Sequence, residues 1–387
     1  RPRHDVYRVD ENAAEVDMIR AVKQKSFWIM EQQSGVTGWE ILGRAPQPGQ
    51  IPLWAMQSVA HGADTIVFFR WRSCAMGTEQ YWHGILPHNG VPGRYHRELS
   101  AFMQKYAPLL KEIHGGLPKA EVAILRSYDQ ERALDIQPHH PDHRYIQHLM
   151  TYYKALHRAN VPVDFVGEHQ DFAPYKVIIA PLQFLLTEAH LDKLRAYVEN
   201  GGRLVVTWRS GIKDDSNLCH TEGPVPVRFA ALTGVTVAEY DCLRDCEGVV
   251  RWDGQDYKCS QWCDVLDLST AEPVAAYAHE FYAGTPAITR NRYGKGLTWY
   301  VGTTMGDALA DKFITELCDE ANIAPLRATP HGVEAVHRQK DGKTWLFLLN
   351  HNRTEQTADI PAEYAPWDDE PWAGTIGPMG VRVFVKG

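Results

Sequence analysis

No apolar run in this chain of 387 residues approaches the roughly 18 that a membrane-spanning helix needs, so no membrane partner is expected. Positive charge is also short. Forty Lys and Arg against 48 Asp and Glu leave a net charge of -8, whereas nucleic-acid binders concentrate basic residues to neutralise phosphates. No nucleic-acid partner is expected, and the partner should be uncharged or small. Cysteine is scarce and odd in number, seven in all, which excludes a disulfide framework as the organising device. Residues 1–20 are charged throughout and lack the apolar stretch of a secretory leader, which gives the expectation of a cytoplasmic location. The opening Arg1-Pro2-Arg3 has no Met and runs at once into helical text, so a truncated or renumbered start is expected.

What is present is the composition of a globular protein, 44% hydrophobic and 23% charged, at a length that one core rarely serves. Two or three domains are expected. Aromatic residues make up 11%, and their flat apolar faces with polar edges suit sugar rings as well as large cores.

Cys74 and Cys318 read as buried thiols. Cys242, Cys246, Cys259 and Cys263 form a C-x3-C, twelve-residue, C-x3-C arrangement able to supply four thiolates to zinc. Tight zinc knuckles use two-residue spacing, however, and Trp262-Cys263-Asp264-Val265-Leu266 reads as a strand whose Cys packs as a small hydrophobe. No catalytic metal or cofactor is therefore expected. The run His139-His140-Pro141-Asp142-His143 reads as a solvated loop before a helix.

Three segments separate by pattern. The first, residues 1–118, ends at Gly115-Gly116-Leu117-Pro118, which stops a helix carrying Leu99, Phe102, Met103, Tyr106 and Leu109. Over 119–325, short apolar strands (Val122–Leu125, Val163–Val166, Lys176–Ala180, Leu204–Trp208) alternate with helices (Tyr145–Leu156, Glu188–Asn200), which predicts a doubly wound parallel α/β sheet. A β-rich insertion is expected from Val225 to about Tyr282, then a hairpin turning at Tyr293-Gly294-Lys295-Gly296 and a helix over Gly306–Ala321. Residues 326–387 alternate as Val333–His337, Trp345–Asn350 and Val381–Val385, with a turn at Asp341-Gly342, which predicts a small antiparallel β-sandwich.

Phe27-Trp28-Ile29-Met30 is an apolar strand that runs into a carboxylate, Glu31, then Gln32-Gln33-Ser34-Gly35. Barrel enzymes place catalytic groups at the carboxyl ends of strands, because the strand fixes the side chain and the loop admits substrate. A strand-end Glu facing water accounts for the pattern equally simply.

Phe27 to Gln33, with Gly35 and Trp39, is similar to the nucleophile segment of family-42 β-galactosidases. His61-Gly62-Ala63-Asp64, Phe69-Arg70-Trp71-Arg72 and Glu79-Gln80-Tyr81-Trp82-His83-Gly84 resemble the last barrel strand and loop of that family. Ala276-Tyr277, Phe281-Tyr282, Gly284, Pro286-Ala287 and Gly294-Lys295-Gly296 resemble its middle domain. The resemblance implies the last two strand-helix units of a TIM barrel, a glutamine-amidotransferase-like α/β domain that forms trimers, and a terminal sandwich. It implies a retaining β-galactosidase acting on galactosides, with Glu31 as nucleophile, Trp39 lining the sugar pocket and Glu79 accepting from sugar hydroxyls. His83 is a sugar-binding candidate, with Trp82 the alternative at the family's histidine position. Arg70 and Arg72 are candidates for holding Glu31 or Glu79 ionised.

A retaining glycosidase needs two carboxyl groups about 5 to 5.5 Å apart. The family's acid/base is the Glu of an Asn-Glu pair, and nothing upstream of Glu31 matches it; Asp10-Glu11-Asn12 has the order reversed and lies in helical text. A closed barrel takes about 250 residues, so six strands and the acid/base are expected to lie outside this chain. The competing readings are a non-catalytic assembly or binding fragment, and amidotransferase-type hydrolysis by the middle domain. The latter needs a Cys at a strand-to-helix elbow, yet Ile178-Ile179-Ala180-Pro181 is followed by Leu182-Gln183-Phe184.

Overall fold

Helix α1 (Val9–Lys23) is the first described element and buries Ala13, Ala14, Val16 and Ala21 along one side. Strand β1 (Phe27–Gln33), helix α2 (Gln50–Ala60) and strand β2 (Ala63–Phe69) follow, with β1 and β2 paired in parallel. A parallel pair cannot be joined by a tight turn, and the apolar helix α2 supplies the crossover. Helix α3 (Arg94–Ile113) buries Leu99, Phe102, Tyr106, Leu109 and Ile113, alternate steps of three and four residues that make a single stripe. Met103 of the same helix lies outside that stripe and is 44% exposed. The computed structural model describes residues 8–38, 41–226, 228–244 and 246–387.

The chain divides into two compact units, residues 120–324 and residues 1–119 with 325–387. The middle unit contains β3 (Val122–Leu125), α4 (Tyr128–Ile136), α5 (Tyr145–Arg158), β4 (Val163–Val166), β5 (Val177–Ala180), α6 (Glu188–Glu199) and β6 (Arg203–Thr207). Then come α7 (Ala230–Thr233), β7 (Val235–Asp241), β8 (Gly248–Trp252), β9 (Gln255–Leu268), β10 (Glu272–Tyr277), β11 (Pro286–Tyr293), β12 (Gly296–Val301), β13 (Thr303–Met305) and α8 (Asp307–Glu320). These strands form one 11-stranded sheet in the order β13-β9-β8-β10-β11-β12-β6-β5-β3-β4, with β7 paired to β9. Strands β12, β6, β5, β3 and β4 are mutually parallel, and the insertion continues the sheet in antiparallel fashion.

Strands β3, β4 and β5 are buried at every position, which is why β3 and β5 read as unbroken apolar runs, while in β4 the buried Asp164 accepts from Tyr175 Oη at 2.9 Å. Helices cover both faces. Leu191, Leu194 and Val198 of α6 and Leu232 of α7 join Ile178, Leu204, Val206 and Tyr300 in one core, while Phe313 of α8 meets Trp299 edge-on at 5.5 Å. The β11–β12 turn places Gly294 at φ 57° with Glu199 Cα 2.7 Å from where a Cβ would sit, so a side chain has no room there.

The other unit is completed by β14 (Val333–Lys340), β15 (Lys343–Asn350), β16 (Gln356–Thr357), β17 (Ala365–Pro366), β18 (Thr375–Ile376) and β19 (Val381–Lys386). The order β14-β15-β19-β17 makes an antiparallel sheet, and β16 pairs with β18. Asp341 (φ 50°) and Gly342 (φ 82°) form the two-residue β14–β15 turn, the left-handed pair that matches strand twist. Alternate residues face opposite ways: Val336, Trp345, Phe347, Leu349 and Val383 pack with α2 and α3, whereas Ala335, Leu346, Leu348 and Phe384 pack with Ala358 and Ile376. The third expected segment thus shares its core with the first.

Two buried polar networks brace this unit. Arg338 is fully buried, and its guanidinium donates to Gly116 O, Val59 O, Ala63 O, Ile113 O and Asp64 Oδ1 at 2.6–3.1 Å. His61 lies between Asp17 Oδ1 (2.8 Å) and Glu334 Oε1 (2.7 Å). Among the described residues no helix is long and apolar enough to cross a membrane.

Candidate active site

Glu31 lies inside β1, two residues before its end, not at the strand end that the apolar run suggested. Its position is set by an irregularity. Ile29 pairs with Ile66 and Gln32 with Phe68, so two residues of β1, Met30 and Glu31, oppose the single residue Val67. Without the extra residue, strict alternation would put Glu31 on the same face as Phe27 and Ile29. With it, Met30 and Glu31 are exposed in succession. A bulge that re-aims one side chain is a device common beside active sites. Among the described residues the Glu31 carboxylate has no hydrogen-bond or ion-pair partner, so both oxygens are available to a ligand.

The chain after β1 is fastened to the chain after β2. Ser34 is fully buried, and its hydroxyl donates to Phe69 O at 2.8 Å, with Arg70 O at 3.2 Å. His83 N donates to Val36 O at 2.9 Å, and Gln33 Nε2 to Gly35 O at 2.6 Å. A Cβ on Gly35 would fall 2.9 Å from His83 O, and one on Gly84 would fall 2.8 Å from Arg70 O, so both glycines are needed for the approach. The β2 loop also folds on itself: Ile85 N donates to Arg70 O and Leu86 N to Trp71 O, each at 2.8 Å.

That loop carries the remaining candidates. Arg70 forms an ion pair with Glu79, and Arg70 rather than Arg72 takes this role; Arg72 is exposed and reaches only His88 O, at 3.4 Å. His83 is half-buried and bonds from Nδ1 to Tyr81 O at 3.0 Å, while Trp82 packs edge-on against Phe69 at 6.1 Å. Glu31 thus lies three residues before Ser34, where the chain after β1 is fastened to the loop that holds Glu79, Trp82 and His83. Trp39 lies outside the described residues.

Elsewhere several sequence readings need correction. The loop at His139–His143 is not solvated, since His140 and His143 are 5% and 3% exposed and His140 bonds to Arg244 O at 3.0 Å. Cys318 is buried as expected, but Cys74 is only half-buried, with its thiol donating to Met76 O. Cys259 and Cys263 are buried in β9, Cys242 is half-buried and Cys246 is exposed. Among the described residues no three His, Cys, Asp or Glu side chains gather as a metal cage.

Comparison with known families accounts for most of the chain. Residues 3–109 match a β-galactosidase model, 120–324 the β-galactosidase trimerisation domain, and 332–386 the β-galactosidase C-terminal domain. The chain belongs to glycoside hydrolase family 42. Among its family-42 relatives, a β-galactosidase of Clostridium cellulovorans is 35% identical over 350 residues, covering 90% of this chain and 53% of that protein. One from Haloferax lucentense is 37% identical over 346 residues, covering 89% and 50%. The crystal structure of the β-galactosidase from Bacillus circulans sp. alkalophilus superposes with a TM-score of 0.94 at 31% identity, covering all of this chain and 59% of that one. The family-42 chain thus spans about half the length of the curated relatives it matches.

Proposed function

We propose that this chain is the C-terminal portion of a retaining β-galactosidase that hydrolyses terminal β-D-galactosides, with Glu31 as nucleophile. The observation that carries the reading is the bulge in β1, which exposes a carboxylate that has no partner among the described residues, in a family-42 chain. Glu79 accepts hydrogen bonds from sugar hydroxyls, and His83, Trp82 and Trp39 complete the sugar pocket. Residues 1–118 supply the last two strand-helix units of a (β/α)8 barrel, with exposed Trp28 and Met30 on the face that further strands would cover. Residues 119–325 are the doubly wound, amidotransferase-like domain through which the enzyme trimerises, and 326–387 are the terminal sandwich. Sedimentation of the enzyme as a strict monomer would remove the assembly role.

The chemistry runs in two displacements. Glu31 attacks the anomeric carbon while an acid/base carboxyl protonates the leaving oxygen; water, activated by that same group, then releases galactose with net retention. The acid/base is supplied from outside residues 1–387. Replacing Glu31 by Gln keeps the shape and removes the attacking charge, so kcat should fall by orders of magnitude while KM changes little. Azide added to Glu31→Ala should enter the vacated space and give an α-galactosyl azide, the product of one inversion. Hydrolysis of an aryl β-galactoside by Glu31→Gln at near the parent rate would remove the assignment. A second reading, an assembly or binding fragment, is favoured by the single member of the carboxyl pair in this chain. The 387-residue piece by itself is expected to bind but not turn over galactosides.

A further inference from the structure

Open α/β sheets bind ligands at the carboxyl ends of the parallel strands, near the point where strand order reverses. In the middle unit that edge is made by the loops after β3, β5 and β6. The last two are fastened together: Gln183 N donates to Ser210 Oγ (3.1 Å), Gly211 N to Gln183 O (2.7 Å) and Lys213 N to Phe184 O (3.1 Å). Just after β6, Arg209 sits at φ 58°, a conformation that side-chain-bearing residues seldom keep unless the surroundings impose it, and one that recurs at ligand sites. Sharp turns of this kind expose nucleophiles in hydrolases. Here the turn exposes a guanidinium.

The direct polar partners of Arg209 and Lys213 are neutral. Arg209 Nη2 donates to His139 Nε2 at 2.7 Å, and its buried Nε has no partner among the described residues. His139 is neutral, because burial, reinforced by the Arg209 charge, pushes its pKa down to about 4. A neutral imidazole that accepts at Nε2 carries its proton on Nδ1, which is turned to the backbone of Gln137. Lys213 is 7% exposed and donates to two neutral oxygens, Asn217 Oδ1 at 3.0 Å and Gln137 Oε1 at 3.4 Å. Its ammonium and the guanidinium lie 5.1 and 5.7 Å from the same Phe184 ring, and the guanidinium also lies 5.2 Å from the Trp262 ring.

No carboxylate among the described residues lies within ion-pair distance of either cation. Asp264, whose charge acts on Arg209, is buried and already accepts from Trp262 Nε1 and Tyr300 Oη, each at 2.8 Å. Withdrawn cations without a direct ion-pair partner are unfavourable, and a planar guanidinium fork matches carboxylate and phosphate geometry. We propose that this elbow is a binding site for a small oxyanion, a carboxylate or phosphate group held by Arg209 and Lys213.

The test titrates the full chain with citrate and, separately, with inorganic phosphate, each against sodium chloride at matched ionic strength. Tryptophan fluorescence reads the site directly, since Trp208 and Trp262 stack at 5.1 Å beside Arg209. At least one oxyanion should give a saturable change and a rise in Tm that chloride does not. Citrate alone assigns a carboxylate ligand, phosphate alone a phosphate ligand, and both a site for either. Arg209→Gln and Lys213→Gln should each weaken binding at least tenfold, yet melt no lower than the parent in chloride, because each removes an unpaired charge. Should both variants fail to fold, phenylglyoxal modification of Arg209 in the parent, mapped by mass spectrometry, replaces them, and protection by the oxyanion is expected. Absence of saturation, variants that titrate like the parent, or no protection would overturn the site.

Discussion

His61 shows how one buried side chain ties stability to pH. Burial alone would lower its pKa, but Asp17 and then Glu334 outweigh that and raise it to about 9. A folded pKa above the unfolded value of about 6.5 means that the protonated ring favours the native state. The contribution is complete below about pH 6.5 and is lost as pH rises through about 9; the 2.5-unit span corresponds to roughly 3 kcal/mol. Denaturant unfolding of the parent should therefore show falling stability between pH 6.5 and 9. His61→Leu should flatten that slope and cost about 1.5–3 kcal/mol at pH 6, because it removes the cation between two buried carboxylates, although Asp17 keeps Arg20 and Glu334 keeps Gln57 and His351. An unchanged pH slope in the variant would show that His61 is not the group responsible. None of this was legible in the sequence, where His61 stood out only as part of a motif; its partners lie 44 and 273 positions away.

Among the elements, β14 stabilises two helices at once through Arg338, which caps carbonyls of Val59 in α2 and Ile113 in α3. Unsatisfied carbonyls at helix ends are costly when buried, and a planar donor fork answers several together. Arg338→Met keeps much of the volume but removes the buried charge that pairs with Asp64 and the donors to four carbonyls, leaving Asp64 only neutral donors such as Gly115 N, so a loss of about 3–5 kcal/mol is expected by chemical denaturation. Arg338→Lys should recover only part of it, since an ammonium cannot reproduce the fork. Equal stability of parent and Met variant would refute the clamp. The elements themselves were largely legible, because β3, β5 and β6 are buried runs and α3 carries a clean helical stripe. The β1 bulge was not. It changes which way Glu31 points without changing any residue type, and only pairing against β2 defines it. The donor cluster at Arg209 was hidden for the same reason: it joins a histidine run that reads as solvated to a residue just past a strand.

For the molecule as a whole, the two units differ in how far they depend on distant sequence. The core of the middle unit, from Ala120 to Tyr300, draws on no residue outside 120–324, and its 11-stranded sheet closes within the same limits. The other unit is discontinuous, because the apolar faces of α2 and α3 are covered by Val336, Trp345, Phe347, Leu349 and Val383. Burying a large apolar side chain contributes about 1.5–3 kcal/mol, so losing these five removes on the order of 10 kcal/mol, comparable with the whole stability of a domain. Excised residues 120–324 should therefore unfold in a single cooperative thermal transition, with backbone amides of β3, β5 and β6 the slowest to exchange. Removing 325–387 from the chain should leave that transition in place while residues 1–119 lose protection and bind a hydrophobic dye. If the excised middle unit gave no cooperative melt, or if residues 1–119 kept their protection after the deletion, this division of the core would be wrong.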